Sequence, residues 1–333
     1  MLINLNVLVV GYGSIGKRHV QNLLSTTKHK IIICTTQKKS KLSKHKRCIF
    51  VNTIQEGLSY NPTIGFVTNV SNQHVETSML LANAGCHVFI EKPLSNSLNN
   101  TTKLLNIVKK KNLVTLMGCN LRFHSCIQKI KSLLVQKSIG KIISVKVECG
   151  TYLPDWHPYE NYSKSYAARD DLGGGVVLTC IHELDYLYWF FGDIKEIFSM
   201  TGKFSDLKIK SSDLSAIILK FKNNVIGEVH LDYFQRPEFR SCKIIGTKGT
   251  IYWDSVNNEV KIFDVKTKKW IKKLKIQKFD KNKQYVDEIS HFINCVKNQK
   301  KSINDLTQGI QTLKIALNAI KSSKEKKLVK ISS

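Results

Sequence analysis

Arginine is scarce in this 333-residue chain. Only six of its 52 basic residues are Arg (18, 47, 122, 169, 236 and 240), and the rest are Lys. Proteins that read base edges and phosphates rely on the planar guanidinium fork. With so few forks and none clustered, the formal charge of +27 reads as a lysine-covered surface, so no nucleic-acid partner is expected. That field still suits a small anionic ligand. Long apolar runs are lacking too, which excludes a membrane span. The start, MLINLNVLVV, has no basic leader or small-residue cleavage site, and a cytoplasmic location is expected. Cysteines number nine, an odd count, and no C-x-x-C occurs. This argues against a disulfide scaffold and a zinc site, and no metal is expected.

Residues 5–10, LNVLVV, are long enough for a buried parallel strand, and Gly11-Tyr12-Gly13-Ser14-Ile15-Gly16 follows at once. Ile15, Val20, Leu23 and Leu24 then fall on one helical stripe. Strand, G-x-G-x-x-G, helix is the order of a dinucleotide fingerprint. Gly11 serves the tight turn, Gly13 the close approach of pyrophosphate, and Gly16 the packing of helix on strand. The positive helix end then faces the phosphates, with Ser14 and Ile15 beside them. Apolar runs at 30–36, 64–70, 86–90 and 113–118 alternate with helical spacing at 74–84 and 97–111. This predicts an α/β Rossmann domain over 1–120, built on a doubly wound parallel sheet.

The pattern then changes. A helix is expected at 123–137, a strand at 141–149, a polar aromatic loop at 150–172 and one continuous helix through VVLTCIHELDYLYWFF (176–191). Strands dominate 194–275, and two helices close the chain near 283–297 and 305–321. The expected second domain, 121–333, is therefore α+β with an open, largely antiparallel sheet. Such a sheet needs cover on its apolar face, which predicts a homodimer or homotetramer.

Ligands of open α/β sheets bind beyond the carboxyl ends of the strands. The strand CHVFI ends in Glu91-Lys92-Pro93-Leu94, which aims Lys92 at that edge. Taken with the glycine fingerprint, with GCNLRFH (118–124), GKIISVKVE (140–148) and GGGVVLTCIHELDYLYWFFG (173–192), this resembles the Gfo/Idh/MocA oxidoreductases over essentially the whole chain. The resemblance implies that His182 meets the substrate and shares acid/base work with Lys92 near the reacting hydroxyl. It also implies that Glu91 and the loop of Asn69, Asn72 and His74 border the cofactor. The chemistry agrees with the pairing, because oxidising a secondary alcohol needs a base that accepts the hydroxyl proton near working pH. Two positions depart from the family pattern. Thr179 stands where many relatives carry an aspartate, and Asn69-Val70 replaces Thr-Pro. Outside the resemblance, His182 also reads as an ordinary buried histidine, and Glu183 and Asp185 as partners of basic groups.

The end of the second strand, IIICTTQKKS, offers no acid for ribose hydroxyls. Thr35, Thr36 and Lys38 suit a 2′-phosphate, so NADP(H) is favoured over NAD(H). Arg18 is a candidate for the adenosine end, or a surface residue of its turn. Sugars ask for flat apolar faces mixed with hydrogen bonders. Asp155, Trp156, Tyr166 and Arg169 in the loop, with Asn120, Arg122, Thr179, His182 and Tyr233, are the candidate substrate residues; an interdomain loop or dimer contact is the plainer reading of several. The reading reached is an NAD(P)-dependent oxidoreductase interconverting a secondary hydroxyl and a ketone on a sugar, with a bacterial surface or nonulosonate sugar as one candidate. The rivals are a redox-neutral epimerase or eliminase with retained cofactor, and a cofactor-binding partner protein with impaired catalysis, which Thr179 brings into question.

Overall fold

A computed structural model of the chain describes residues 5–37, 41–156, 158 and 160–331. The first stretch runs β1 (Asn6–Val10), α1 (Ser14–Thr26), β2 (Lys30–Cys34), β3 (Cys48–Val51), α2 (Ile54–Leu58), β4 (Ile64–Val67), α3 (His74–Asn83), β5 (His87–Glu91), α4 (Thr101–Lys110) and β6 (Thr115–Gly118). There follow α5 (Ser125–Val135), β7 (Ile142–Gly150), α6 (Val176–Thr179), α7 (His182–Phe191), β8 (Ile194–Gly202), β9 (Leu214–Phe221) and β10 (Ile226–Asp232). The chain ends with β11 (Phe239–Gly246), β12 (Gly249–Asp254), β13 (Glu259–Asp264), β14 (Lys269–Lys275), α8 (Lys283–Lys297), α9 (Leu306–Glu325) and β15 (Val329–Lys330). No helix among the described residues is long and apolar enough to cross a membrane.

The chain divides into two units. The first joins residues 1–120 to 281–313, and the second joins 121–280 to 314–333. In the first, six parallel strands lie in the order β3-β2-β1-β4-β5-β6. The strands are runs of Val, Ile and Phe because both sheet faces are covered. The helix α1 buries Gly16, His19, Val20 and Leu23, one stripe at helical spacing. Where the sequence pattern assigns all of 121–333 to the second domain, the structure returns 281–313 to the first. Ile289, Phe292 and Ile293 of α8 share a core with Val7, Ile31, Phe66 and Phe89. Ile289 and Phe292 are fully buried, a contribution of about 1.5–3 kcal/mol each. The pattern shows that α8 is amphipathic but not which sheet it covers.

The second unit is built on a nine-stranded sheet, ordered β14-β13-β12-β11-β7-β10-β9-β8-β15. Its neighbours are antiparallel except β7 and β10, which run parallel with Val145 beside Gly227. Alternation along β9 and β10 sends Ile217, Leu219, Val229 and Leu231 to the core and leaves Ile218 and Ile226 exposed. The strand β14, KWIKKLK, escapes a sequence reading because it is an edge strand exposed along nearly all its length. The expected single helix at 176–191 is two helices, α6 and α7, interrupted at Cys180 and Ile181. The aromatic loop folds as four short 3₁₀ turns between residues 153 and 172. Gly174 is tucked under them, and a Cβ there would lie 2.1 Å from Tyr166 O.

Candidate active site

In the first unit the register Val10↔Val67↔Ile90 sets Gly11, Thr68 and Glu91 side by side at the carboxyl edge of β1, β4 and β5. Adjacent strands are about 4.8 Å apart, so the glycine turn and Lys92 occupy the same end of one sheet. Each glycine has its own reason. Gly11 has φ +100°, and a Cβ there would meet Asn69 N at 2.6 Å, while one on Gly16 would meet Gly11 O at 2.2 Å. A Cβ on Gly13 would meet nothing within 4 Å. Gly11 and Gly16 are therefore required by the protein itself, whereas the room at Gly13 is kept for something else. No side chain caps α1 at Gly13 and no acid occupies its first turn, so its positive end suits an anion. Ser14 is exposed and Ile15 half-buried there. The amide oxygen of Asn69 is buried without a hydrogen-bond partner among the described residues. The turn fits a dinucleotide pyrophosphate.

The other expected cofactor residues divide. Thr35 Oγ1 accepts from Gln37 N at 3.1 Å, and Thr36 is exposed; Lys38 lies outside the described residues. Arg18 stacks on the Tyr285 ring of α8 at 4.6 Å. Asn69 Nδ2 donates to Thr77 Oγ1 at 2.9 Å, and Asn72 is half-buried nearby in sequence. His74 is buried, with Nδ1 at 2.8 Å from Pro93 O and Nε2 at 3.0 Å from Asn69 O. Both ring nitrogens thus face protein carbonyls. Burial pushes its imidazole below the ordinary value, and the two carbonyls oppose that shift. Glu91 is buried, with Oε1 at 2.6 Å from His19 Nε2 and Oε2 accepting from Lys92 N at 3.2 Å. Lys92 itself is half-buried. His19 escapes the sequence reading; its signal is a histidine three residues after Gly16, on the buried stripe of α1.

In the second unit His182 opens α7 and is 9% exposed. The two acids that follow are paired. Glu183 Oε1 lies 2.8 Å from Arg240 Nε, and Asp185 accepts from Arg122 Nε and Nη2, both at 2.8 Å. Both acids also sit in the first turn of α7, where the helix dipole favours them. Two expected substrate residues are wholly buried in the single chain. Arg122 is 0% exposed, with its guanidinium held by Asp185 and lying over Trp189, so it supports the His182 helix from within. Tyr233 is also 0% exposed; its hydroxyl donates to Ala167 O at 3.5 Å, and burial raises it well above the ordinary phenol range. Thr179 is 2% exposed and lies beside the Tyr233 hydroxyl. Trp156 packs edge-on against Tyr233 at 5.6 Å and donates to Thr151 Oγ1. Asp155, Tyr166 and Arg169 are exposed, and Arg169 pairs with Asp171 at 3.0 Å. Asn120, the last residue of the first unit's opening stretch, is 5% exposed. Behind α7, the Cys180 hydrogen bond, and then Arg240, pull the Cys149 thiol below its ordinary value against the effect of burial. All nine cysteines are buried, and none forms a disulfide.

Known proteins resemble this chain. Residues 5–119 match the oxidoreductase family model of the NAD-binding Rossmann fold, and residues 131–331 match that family's C-terminal alpha/beta domain. Myo-inositol 2-dehydrogenase of Thermotoga maritima is 25% identical over 97% of this chain and 97% of its own length. Levoglucosan dehydrogenase of Pseudarthrobacter phenanthrenivorans is 22% identical over 75% of this chain and 74% of its own. The solved structure of a levoglucosan dehydrogenase with NADH superposes with a TM-score of 0.88 at 16% identity, covering 99% of this chain and 100% of that one. With both family models matched in order along nearly the full chain, the protein belongs to the Gfo/Idh/MocA family of oxidoreductases, with a nicotinamide-dinucleotide-binding Rossmann domain.

Proposed function

We propose that this enzyme interconverts a secondary hydroxyl and a ketone on a sugar or sugar derivative, using NADP(H), with Lys92 and His182 as its acid/base groups. The observation that carries the reading is the shared edge of β1, β4 and β5, where the glycine turn and Lys92 stand at one end of one sheet. The bound nicotinamide ring would accept or supply the hydride. The chain's own residues then have the proton to manage: Lys92 follows a strand end whose neighbours are held, and imidazole suits proton exchange near neutral pH. The names of the inositol and levoglucosan dehydrogenases support a polyhydroxylated substrate. Asp155, Trp156, Tyr166 and Arg169 remain the candidate sugar contacts. NADP(H) is supported by Cys34, Thr35, Thr36 and Gln37, none of them acidic, at the end of β2 and just beyond it.

Self-association belongs to the same reading. On the open face of the nine-stranded sheet, Met200, Ile218, Ile226, Ile245 and Trp270 are exposed, which supports a homodimer or homotetramer through that face. Light scattering on Ile218→Lys against the wild type tests it. The function is tested by fluorescence titration with NADPH and NADH, then an absorbance screen of inositols, anhydrosugars, sugar nucleotides and nonulosonates. Lys92→Ala is expected to lower turnover about 10²- to 10⁴-fold while cofactor still binds. Undiminished turnover would remove Lys92 from the chemistry.

A further inference from the structure

We infer that His19 and His74 are positioning residues for Lys92, one on each side of it. On the amino side, His19 Nε2 lies 2.6 Å from Glu91 Oε1, and the other oxygen of that carboxylate accepts from the N–H of Lys92. On the carboxyl side, His74 Nδ1 lies 2.8 Å from the carbonyl of Pro93, the next residue. Each histidine belongs to a segment of the cofactor turn. His19 is on α1, three residues past Gly16, and His74 opens α3 while its Nε2 faces Asn69 O. The lysine is therefore tied by its main chain to both segments that would hold the dinucleotide.

The packing shows that these are restraints and not incidental contacts. His19 is 0% exposed, with Phe89 at 4.9 Å and Phe66 at 5.5 Å between ring centroids. Its Nδ1 is buried without a hydrogen-bond partner among the described residues, which leaves Glu91 as the ring's one polar tether. Glu91 has both oxygens engaged, and a Cβ at position 118 would lie 3.0 Å from its Oε1, so Gly118 makes the room that the carboxylate occupies. His74 is 1% exposed, and each of its nitrogens faces a carbonyl, to one of which the neutral ring donates. Buried hydrogen bonds fix geometry more firmly than surface contacts do, and an ångström of misplacement at a reacting group is costly.

The role assigned to Lys92 in catalysis is the proposal above; the clamp itself is a claim about the cofactor-free protein. The Lys92 amide reports on it directly. Amide hydrogen exchange of cofactor-free His19→Ala and His74→Ala, read by mass spectrometry on peptides covering 87–96, is expected to run about tenfold faster than in wild type, with peptides of β9 and β10 unchanged. Exchange equal to wild type overturns the clamp. Glu91→Gln keeps the shape and weakens both bonds, so it gives the same comparison should an alanine variant not fold. A kinetic cycle supplies the second readout. His19→Ala is expected to lower kcat about ten- to a hundredfold alone and to add almost nothing in a Lys92→Ala background. Additive losses overturn the positioning role. If Lys92→Ala itself keeps full turnover, the reading of the reaction fails while the exchange result stands.

Discussion

The two proposed proton carriers are held in opposite ways. Lys92 stands where a strand ends, and its neighbours are fixed through main-chain atoms: its own N–H, the carbonyl of Pro93, and the register of three parallel strands. His182 stands where a helix begins, and what surrounds it is charge: Glu183 on Arg240 and Asp185 on Arg122, both acids wholly buried. A site built on register survives many substitutions, because any apolar strand of the right length reproduces it. A site built on buried ion pairs does not, since removing one partner leaves an uncompensated charge.

The largest expected effect would break that contrast if it failed. Arg122→Met leaves Asp185 buried with no guanidinium and is expected to destabilise the second unit by about 3–5 kcal/mol. Hydrogen exchange resolved by peptide should show lost protection in α7 and β11, with β1, β4 and β5 unaffected. Protection of α7 at wild-type levels would show that the pair contributes little, and the contrast between the units would lose its basis. Next comes His124, which caps α5 by accepting from Cys126 N at 3.2 Å. Burial, and then Arg240, push its imidazole down to about 4. Between the ordinary value of 6.5 and 4 the unfolded chain binds a proton that the folded one refuses, so stability falls as pH drops through that window. The loss is roughly 3 kcal/mol. His124→Asn keeps a capping oxygen and should flatten this part of the pH–stability curve measured by urea unfolding.

The same contrast explains what could be read in advance. The glycine turn, the alternation of strands and helices over 1–120, and the place of Lys92 are legible because they are local: apolar runs, breakers and one charged residue at a strand end. The service of Arg122 is not legible. A guanidinium near an aromatic loop has the chemistry of a sugar ligand, and only the fold shows that Asp185, 63 residues later, takes it. The burial of Tyr233 against Ala167 is hidden for the same reason. The interruption at Cys180 and Ile181 is hidden because the residues around it are apolar with no breaker. The attachment of α8 to the first sheet depends on partners some 200 residues away.

The glycines sharpen the comparison at smaller cost. In the cofactor-free protein Gly16→Ala should lower Tm, because Gly11 O stands 2.2 Å from the new carbon. Gly13→Ala should leave Tm unchanged, as its Cβ enters open space. With NADPH the order should reverse in binding: the Gly13 variant loses about 1–3 kcal/mol of affinity through overpacking. Fluorescence titration measures it, and unchanged affinity would show that the room at Gly13 is not the pyrophosphate's.

The smallest effect lies on the open face of the second sheet. His230 of β10 is half-exposed, with Nε2 at 3.0 Å from Asp232 Oδ2. Asp232 raises its imidazole above the ordinary value, with burial opposing; Glu148 across β7 adds to the rise and Lys146 subtracts from it. A base whose affinity for protons is higher folded than unfolded stabilises the fold fully below 6.5 and loses that contribution as pH climbs through the raised value. With the side chain 40% exposed, water screens the pair, and less than about 1 kcal/mol is expected. His230→Asn should therefore cost a little stability at pH 5.5 and none at pH 8.5, opposite in sign to the trend at His124. Should the difference at pH 5.5 exceed that bound, the His230–Asp232 pair must be less screened by water than in the single chain. That is the result expected if a second copy covers this face in solution, and repeating the measurement on monomeric Ile218→Lys would return the effect to its small value.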